Sequence, residues 1–518
     1  MPTQRHDFIE GEKTIRGRHL AYSQKINGEY FFRSPGVGGV FNAYKAATRE
    51  LRAIIGQCVR DDAYLRARGS LWSLSTAAVT DDRLLATSAL RGILKPPLRA
   101  FEPTYRGARS RVRLVECGCR LSALNNALFN MRLSIPTSGS NDGQTLAGAM
   151  STGTHGAAFN VGAVQDFVIG LHIVVSPTRS VYLERDSYPV MRRGFARMLD
   201  ADLKRDDDLF NAALVSFGSF GIIQGILIEP KPLFLLHAVR FFHGFDPALE
   251  HAIQTLDFSR LRLPSSASSI PKDKPHHFEI VINPNQEPPL GEVAVVLMYE
   301  DDLDPSTYVV PDFEVDDFGP GVDGLSIMGA LTELIPHPLD SLLKDVLNAQ
   351  VRDRIGPFHR SAAIRDMFRG EPVEGRTLAA AMAIPRSEAI RALGVVMRQY
   401  EQFGRVLPAL IDMRFVKGTQ ATLGFTRFPE TCVLEFDSIN TRSCRQFLTR
   451  VWSALEREEV PFTLHWGKFN SFLTNTRLRR MYTEEAVESW LDAREELLNP
   501  GMREIFSNKF IADLGLHA

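Results

Sequence analysis

Apolar positions fall into two rhythms along this chain. From 41 to 59, Ala43, Ala46, Leu51, Ile54 and Ile55 recur at helical spacing, which predicts a helix with one buried face. Similar spacing predicts helices at 120–131, 206–216, 246–257, 340–352, 386–403, 441–457 and 483–498. Short apolar or alternating runs bounded by Gly, Pro or Asp predict strands at 64–68, 112–117, 166–175, 179–184, 233–243, 277–283, 292–299, 408–416, 421–426 and 431–438. A Gly-punctuated apolar segment spans 217–229. The first 50 residues are mixed, with a Pro-Gly-Val-Gly-Gly turn at 35–39, and the Pro- and Asp-rich stretch 300–322 reads as a surface loop. Strands and helices mixed without a fixed repeat give an α+β class.

At 518 residues the chain is too long for one small core, so two or more domains are expected. Composition shifts after Pro230 and Pro232, which suggests a domain boundary there. The 60 basic and 61 acidic residues leave a net charge of -1, so nothing points to nucleic acid or an anionic membrane surface as partner. No run of about 18 apolar residues suggests a membrane span, and the first residues lack the apolar stretch of a signal peptide. Cys58, Cys117, Cys119, Cys432 and Cys444 form an odd, sparse set, which argues for reduced thiols and a cytoplasmic location. Cys117 and Cys119 read as buried thiols on one face of a strand. They have no second pair, so no metal site is expected, and His276, His277 and His337 have no metal-like spacing.

The most distinctive chemistry lies in 136–163, rich in Gly, Ser and Thr and charged only at Asp142. Its centre runs from Asp142-Gly143-Gln144-Thr145 through Gly148 and Ser151-Thr152-Gly153-Thr154-His155-Gly156. Glycine lets main chain approach a ligand with no Cβ between them, and successive N–H groups in such a run can bind anionic oxygens. The segment is neither a Walker loop nor a Gly-x-Gly-x-x-Gly dinucleotide turn.

Three segments in order then become informative. A strand runs into Arg68-Gly69-Ser70-Leu71-Trp72-Ser73, the Gly/Thr segment follows, and Ser216-Phe217-Gly218-Ser219-Phe220-Gly221-Ile222 comes last. Together they resemble the FAD-binding domain of the vanillyl-alcohol-oxidase superfamily, the PCMH-type FAD fold. Further on, Asp412-Met413-Arg414-Phe415 resembles the Glu-x-Arg-Phe strand of sugar-1,4-lactone and alditol oxidases. His465-Trp466-Gly467-Lys468 and Arg494-Glu495-Glu496-Leu497 resemble two of their C-terminal motifs, and His277-Phe278-Glu279 their substrate-domain strand.

The resemblance implies a two-part FAD-binding domain over 1–232, a substrate-binding cap domain over 233–440 with an antiparallel sheet flanked by helices, and a closing segment over 441–518. It implies that Arg68 to Ser73 wrap the pyrophosphate. Gly139, Gly148, Ser151, Thr152, Gly153, Thr154, His155 and Gly156 then lie along the flavin, and Gly218, Gly221 and Ile222 meet the adenine half. His465 and Lys468 join the cofactor site. Thr145 aligns with a hydroxyl near the flavin, and Gln144 with a position governing oxygen access.

Three departures shape the expected chemistry. Trp72 stands where many relatives carry a flavin-linking His, so FAD is expected to be held non-covalently. Asp412 replaces the family Glu, and by spacing from Arg414 a catalytic His position falls at Glu435. Strand alternation puts Asp412 and Arg414 on one face, and Glu435 and Asp437 likewise on one face of the next strand. The expected activity is oxidation of a CH–OH group in a polyol, lactone or lactol by hydride transfer to flavin N5. Arg414 and Lys468 would stabilise negative charge, and Asp412 or Glu435 would orient or deprotonate the hydroxyl. Molecular oxygen or another acceptor would then reoxidise the flavin. The alternatives are a sterol or natural-product tailoring oxidase of the same fold, or a catalytically silent binding protein.

Overall fold

The computed structural model describes residues 6–32, 40–268, 270–288, 290–312, 340–369 and 377–517. The turn at 35–39, residues 313–322 of the loop and His337 lie outside the described residues. Three larger sheets carry the architecture. In the first, the order is His6–Arg16, Ser23–Phe32, Arg83–Ala86 and Leu65–Arg68, with the last two contacts parallel. The helix Val40–Arg60 buries Leu51, Ile54 and Ile55 as its periodicity predicts, but in its first turns Tyr44 and Thr48 are buried while Ala43 and Ala46 are half-buried.

The second sheet runs Asp202–Arg205, Ser180–Glu184, Val168–Val174, Ile222–Ile228, Arg113–Glu116 and Ile93–Leu94. Its central strands Val168–Val174 and Ile222–Ile228 are buried along their whole length, which explains their unbroken apolar sequence. The third sheet has eight strands: Phe358–Ala363, Phe234–Gly244, Glu292–Asp302, Pro275–Ile282, Ala409–Lys417, Glu430–Ile439, Thr377–Pro385 and Thr463–Leu464. All of its pairings are antiparallel. Phe415 turns away from Arg414 and stacks on Phe278 with ring centroids 4.5 Å apart, which fixes the opposite face of Ala409–Lys417 for polar residues.

The chain end folds back over the first two sheets. Trp490 Nε1 donates to the Val215 carbonyl at 3.1 Å and Arg494 Nε to that of Ser219 at 3.1 Å. Asn508 Nδ2 donates to the Val79 and Ala77 carbonyls at 2.8 and 3.1 Å, and Arg66 Nη1 to that of Phe506 at 2.9 Å.

Three local expectations need correction. Residues 421–426 form turns, not a strand, although Ala421, Leu423 and Phe425 alternate. The Leu423 and Phe425 carbonyls are taken by Trp466 Nε1 and the Thr463 hydroxyl, so no ladder forms. Cys117 and Cys119 lie just past the strand Arg113–Glu116, in a turn; both thiols are buried and free. The first 50 residues hold a long hairpin whose alternation is blurred by charges on its exposed face.

Candidate active site

A cleft with about 1350 Å³ of space free of protein atoms, partly open to solvent, lies between the Gly/Thr segment and the eight-stranded sheet. Its two walls are built differently. The first is mostly main chain. Thr145 caps the short helix Leu146–Ser151, its hydroxyl accepting from Gly148 N at 3.3 Å. A Cβ on Gly69 would fall 2.2 Å from Thr145 Oγ1, and one on Gly143 would fall 2.2 Å from the Trp72 ring. Only glycine lets these two loops approach so closely. Ser70 Oγ ties them together by donating to the Gly143 carbonyl at 2.8 Å. Leu74 N donates to the Gly467 carbonyl at 2.8 Å, which docks the first loop beside Lys468.

The second wall is charged. Asp412 stands opposite Glu435 in the register of Ala409–Lys417 with Glu430–Ile439. Arg414 is the hub. It donates from Nε to Glu279 at 2.8 Å, from Nη1 to Glu435 at 2.9 Å and from Nη2 to Asp412 at 3.2 Å. Lys468 pairs with the other oxygen of Glu435, and His277 Nε2 meets Glu279 at 3.0 Å. Asp437 also lines the cleft.

Crowding these groups together moves their proton affinities. Burial, reinforced by the Glu279 and Asp437 charges and opposed by Arg414, holds Asp412 well above the usual carboxylate range. Burial likewise pushes Asp437 up to about 6. Burial opposes ionisation of Glu279, but Arg414 and His277 outweigh it and hold that carboxyl below its ordinary value. Arg414 loses to burial and gains more from Glu279, Asp412 and Asp437, so its guanidinium is held charged more firmly than usual. Burial and then Arg414 push the Lys468 ammonium well below its ordinary value, against the opposing pull of Asp412 and Glu279.

His155 and His465 pack on Phe425 with ring centroids 5.1 and 4.6 Å away. Burial keeps both rings neutral, pushing His155 well below its ordinary value and His465 down to about 3. His155 Nδ1 sits 2.9 Å from the Gly156 carbonyl, and His465 Nδ1 accepts from Gly467 N at 2.9 Å.

The structure brings Gly69, Ser70, Leu71, Trp72, Ser73, Gly139, Thr145, Gly148, Thr152, Thr154, His155, Arg414, Glu435, His465 and Lys468 onto this cleft. Asp412 sits behind Arg414. Arg68 turns away to pair with Glu29. Ser151, Gly153 and Gly156 back the wall without lining it, Gly153 facing Phe425 and Gly156 the Ser138 carbonyl. Gly218 lies over Arg66, while Gly221 and Ile222 abut and open the buried strand Ile222–Ile228. Sequence reasoning missed His19, which lines the cleft beside Trp72 with ring centroids 5.3 Å apart. It also missed Glu279 as the partner of Arg414, a role signalled by alternation on its strand with His277. Among the described residues, no group of three or more His, Cys, Asp or Glu is placed to hold a metal ion.

The donor set fits a flavin dinucleotide. The cleft has one flat, side-chain-poor wall, neutral hydroxyls from Ser70, Thr145, Thr152 and Thr154, and cations on the facing wall. Gln144 Oε1 is buried at the cleft without a hydrogen-bond partner, an acceptor left over for a bound group.

Comparison with known proteins agrees. Residues 43–178 match the FAD binding domain family. The chain is 24% identical over 469 residues to the L-gulono-1,4-lactone dehydrogenase of Mycobacterium tuberculosis (strain H37Rv), an alignment covering 88% of this chain and 93% of that protein. It is 26% identical over 206 residues to the D-arabinono-1,4-lactone oxidase of Debaryomyces hansenii, which covers 39% of this chain and only 34% of that protein. Among solved structures, cholesterol oxidase from B. sterolicum superposes with a TM-score of 0.69 at 12% identity, over 98% of this chain and 97% of the other. A chitooligosaccharide oxidase does so with a TM-score of 0.59 at 12% identity, over 95% and 93%. Residues 43–178 thus match an FAD binding domain, with FAD as the cofactor, and the superposed oxidases share the fold. The chain is similar to sugar-1,4-lactone oxidases and dehydrogenases.

Proposed function

We propose that this enzyme oxidises a CH–OH group of a small sugar-derived molecule, a lactone, lactol or polyol, with FAD held non-covalently. The observation that carries this reading is the Arg414 hub, with Glu435, Asp437 and Lys468 facing the main-chain wall across one cleft. Bound FAD supplies the two-electron acceptor for hydride. The chain's own groups do the rest. Arg414 and Lys468 supply fixed positive charge, which stabilises negative charge developing beside them. Glu435, in contact with both cations, takes the substrate hydroxyl proton. Asp412, behind Arg414, orients that guanidinium, and Asp437 adds a second carboxyl to the cavity. Thr145, Thr152 and the loop from Gly69 to Ser73 hold the cofactor against the flat wall. Trp72 in place of a histidine favours a dissociable cofactor.

On this reading 1–232 forms the cofactor domain, 233–440 the cap and 441–518 the segment that closes on the first. The first two sheets lie within residues 6–228, and seven of the eight cap strands within 234–439, which supports those boundaries. The test is anaerobic bleaching of the yellow protein by L-gulono-1,4-lactone, D-arabinono-1,4-lactone, a polyol series and cholesterol. Bleaching by a lactone or polyol is the expected result. Bleaching by the sterol alone, or by none of them, overturns it. Acid precipitation leaving a colourless pellet checks the dissociable cofactor.

A further inference from the structure

Trp72 has a second side. Its indole lines the flavin cleft and also a separate cleft with about 980 Å³ of empty space. That second cleft is lined by Arg18, Arg120, Arg365 and Arg369, against only two carboxylates, Asp142 and Asp366. The arginines come from distant places in the chain. Arg18 follows the strand His6–Arg16, Arg120 precedes the helix Leu121–Asn130, and Arg365 and Arg369 belong to the turn of helix Ile364–Met367 and the residues after it.

Asp366 is already engaged. It accepts from Arg365 Nε at 3.0 Å and Nη2 at 2.9 Å, and from the Tyr308 hydroxyl at 2.8 Å. Arg365 is held flat over Phe129, 3.7 Å from its ring centroid, and Arg18 lies 5.1 Å from the Trp72 centroid. Arg120 and Arg369 are exposed at the mouth, and among the described residues neither joins an ion pair. Four guanidinium groups against two carboxylates leave two positive charges facing the cavity. A phosphate monoester carries about -1.5 to -2 at neutral pH, and guanidinium forks match its oxygens in pairs. Isolated surface arginines would point apart into solvent; these converge on one concavity with an aromatic floor.

We propose that this cleft binds a small molecule through a phosphate monoester group, and that Trp72 makes the flavin cleft sense its occupancy. The proposal does not rest on the sugar-substrate reading. The experiment uses the FAD-loaded protein, titrated calorimetrically with inorganic phosphate and with glucose 6-phosphate, against sodium chloride at matched ionic strength. Saturable binding of either phosphate, with a change in the flavin absorption band, is expected. Tighter binding of the sugar phosphate than of free phosphate identifies an organic ligand, and the reverse identifies phosphate itself. The double variant Arg120→Gln/Arg369→Gln should fold with unchanged FAD content and bind about tenfold more weakly or worse, a loss that one charge-assisted bond suffices to cause. A response equal to that of chloride, or unchanged binding in the double variant, overturns the proposal. So does loss of FAD from that variant, which would assign the arginines to the cofactor's own phosphates.

Discussion

The two walls of the flavin cleft solve different problems with different materials. The Gly/Thr wall works through main chain and short hydroxyls, so its shape depends on missing side chains and hardly on pH. The sheet wall works through a buried cluster of four carboxyls, a guanidinium and an ammonium, so its state depends on protons. Under the proposed function, cofactor retention falls to the first wall and turnover to the second.

The sharpest way to break that division is Arg414→Met. Three carboxyls lose their shared cation. Substrate bleaching should slow by about 10²–10³-fold, and stability to urea should fall by about 3–5 kcal/mol because buried charge is left uncompensated. FAD content of the folded fraction should stay near that of the parent; a colourless folded variant would assign cofactor retention to the charged wall.

Gly143→Val probes the opposite wall. Its side chain would overlap Trp72, at a cost of about 1–3 kcal/mol in overpacking. FAD should dissociate at least about tenfold more readily, while the fraction still yellow bleaches at the parental rate. A slow rate in that fraction would erase the distinction.

The smallest effect sharpens the proton side. Folded Asp437 holds its proton to about 6, against 3.8 for an unperturbed carboxyl. Between those values the folded state binds more protons than the unfolded state, so this group's contribution to stability falls as pH rises. Asp437→Asn removes that fall. The melting temperature of the variant relative to the parent should therefore climb by a few degrees from pH 4 to pH 7; an offset independent of pH would mean Asp437 is ionised throughout.

How much of this was written in the chain differs between the same two walls. Helices such as Val40–Arg60 and Arg442–Arg457 declare themselves because one face is largely apolar. The pair Asp412 and Arg414 was legible because a strand's alternation is local, and Glu435 followed from counting along the next strand. Glu279 was hidden because its meeting with Arg414 depends on the register between Pro275–Ile282 and Ala409–Lys417, where the two residues are directly paired across 135 positions of sequence. The false strand at 421–426 shows the same limit: alternation tells which residues are buried, but not which partner receives each carbonyl. His19 reached the cleft through a hairpin that its charged outer face concealed.

The return of the chain end over the first loop also sets an order of events during synthesis. The carbonyls of Ala77 and Val79 wait for Asn508, and Arg66 waits for Phe506. Nearly the whole polypeptide must therefore leave the ribosome before the loop that begins at Gly69 acquires its final support. A nascent chain stalled before residue 500 would hold that loop through Gly143 and Gly467, without the brace from the chain end.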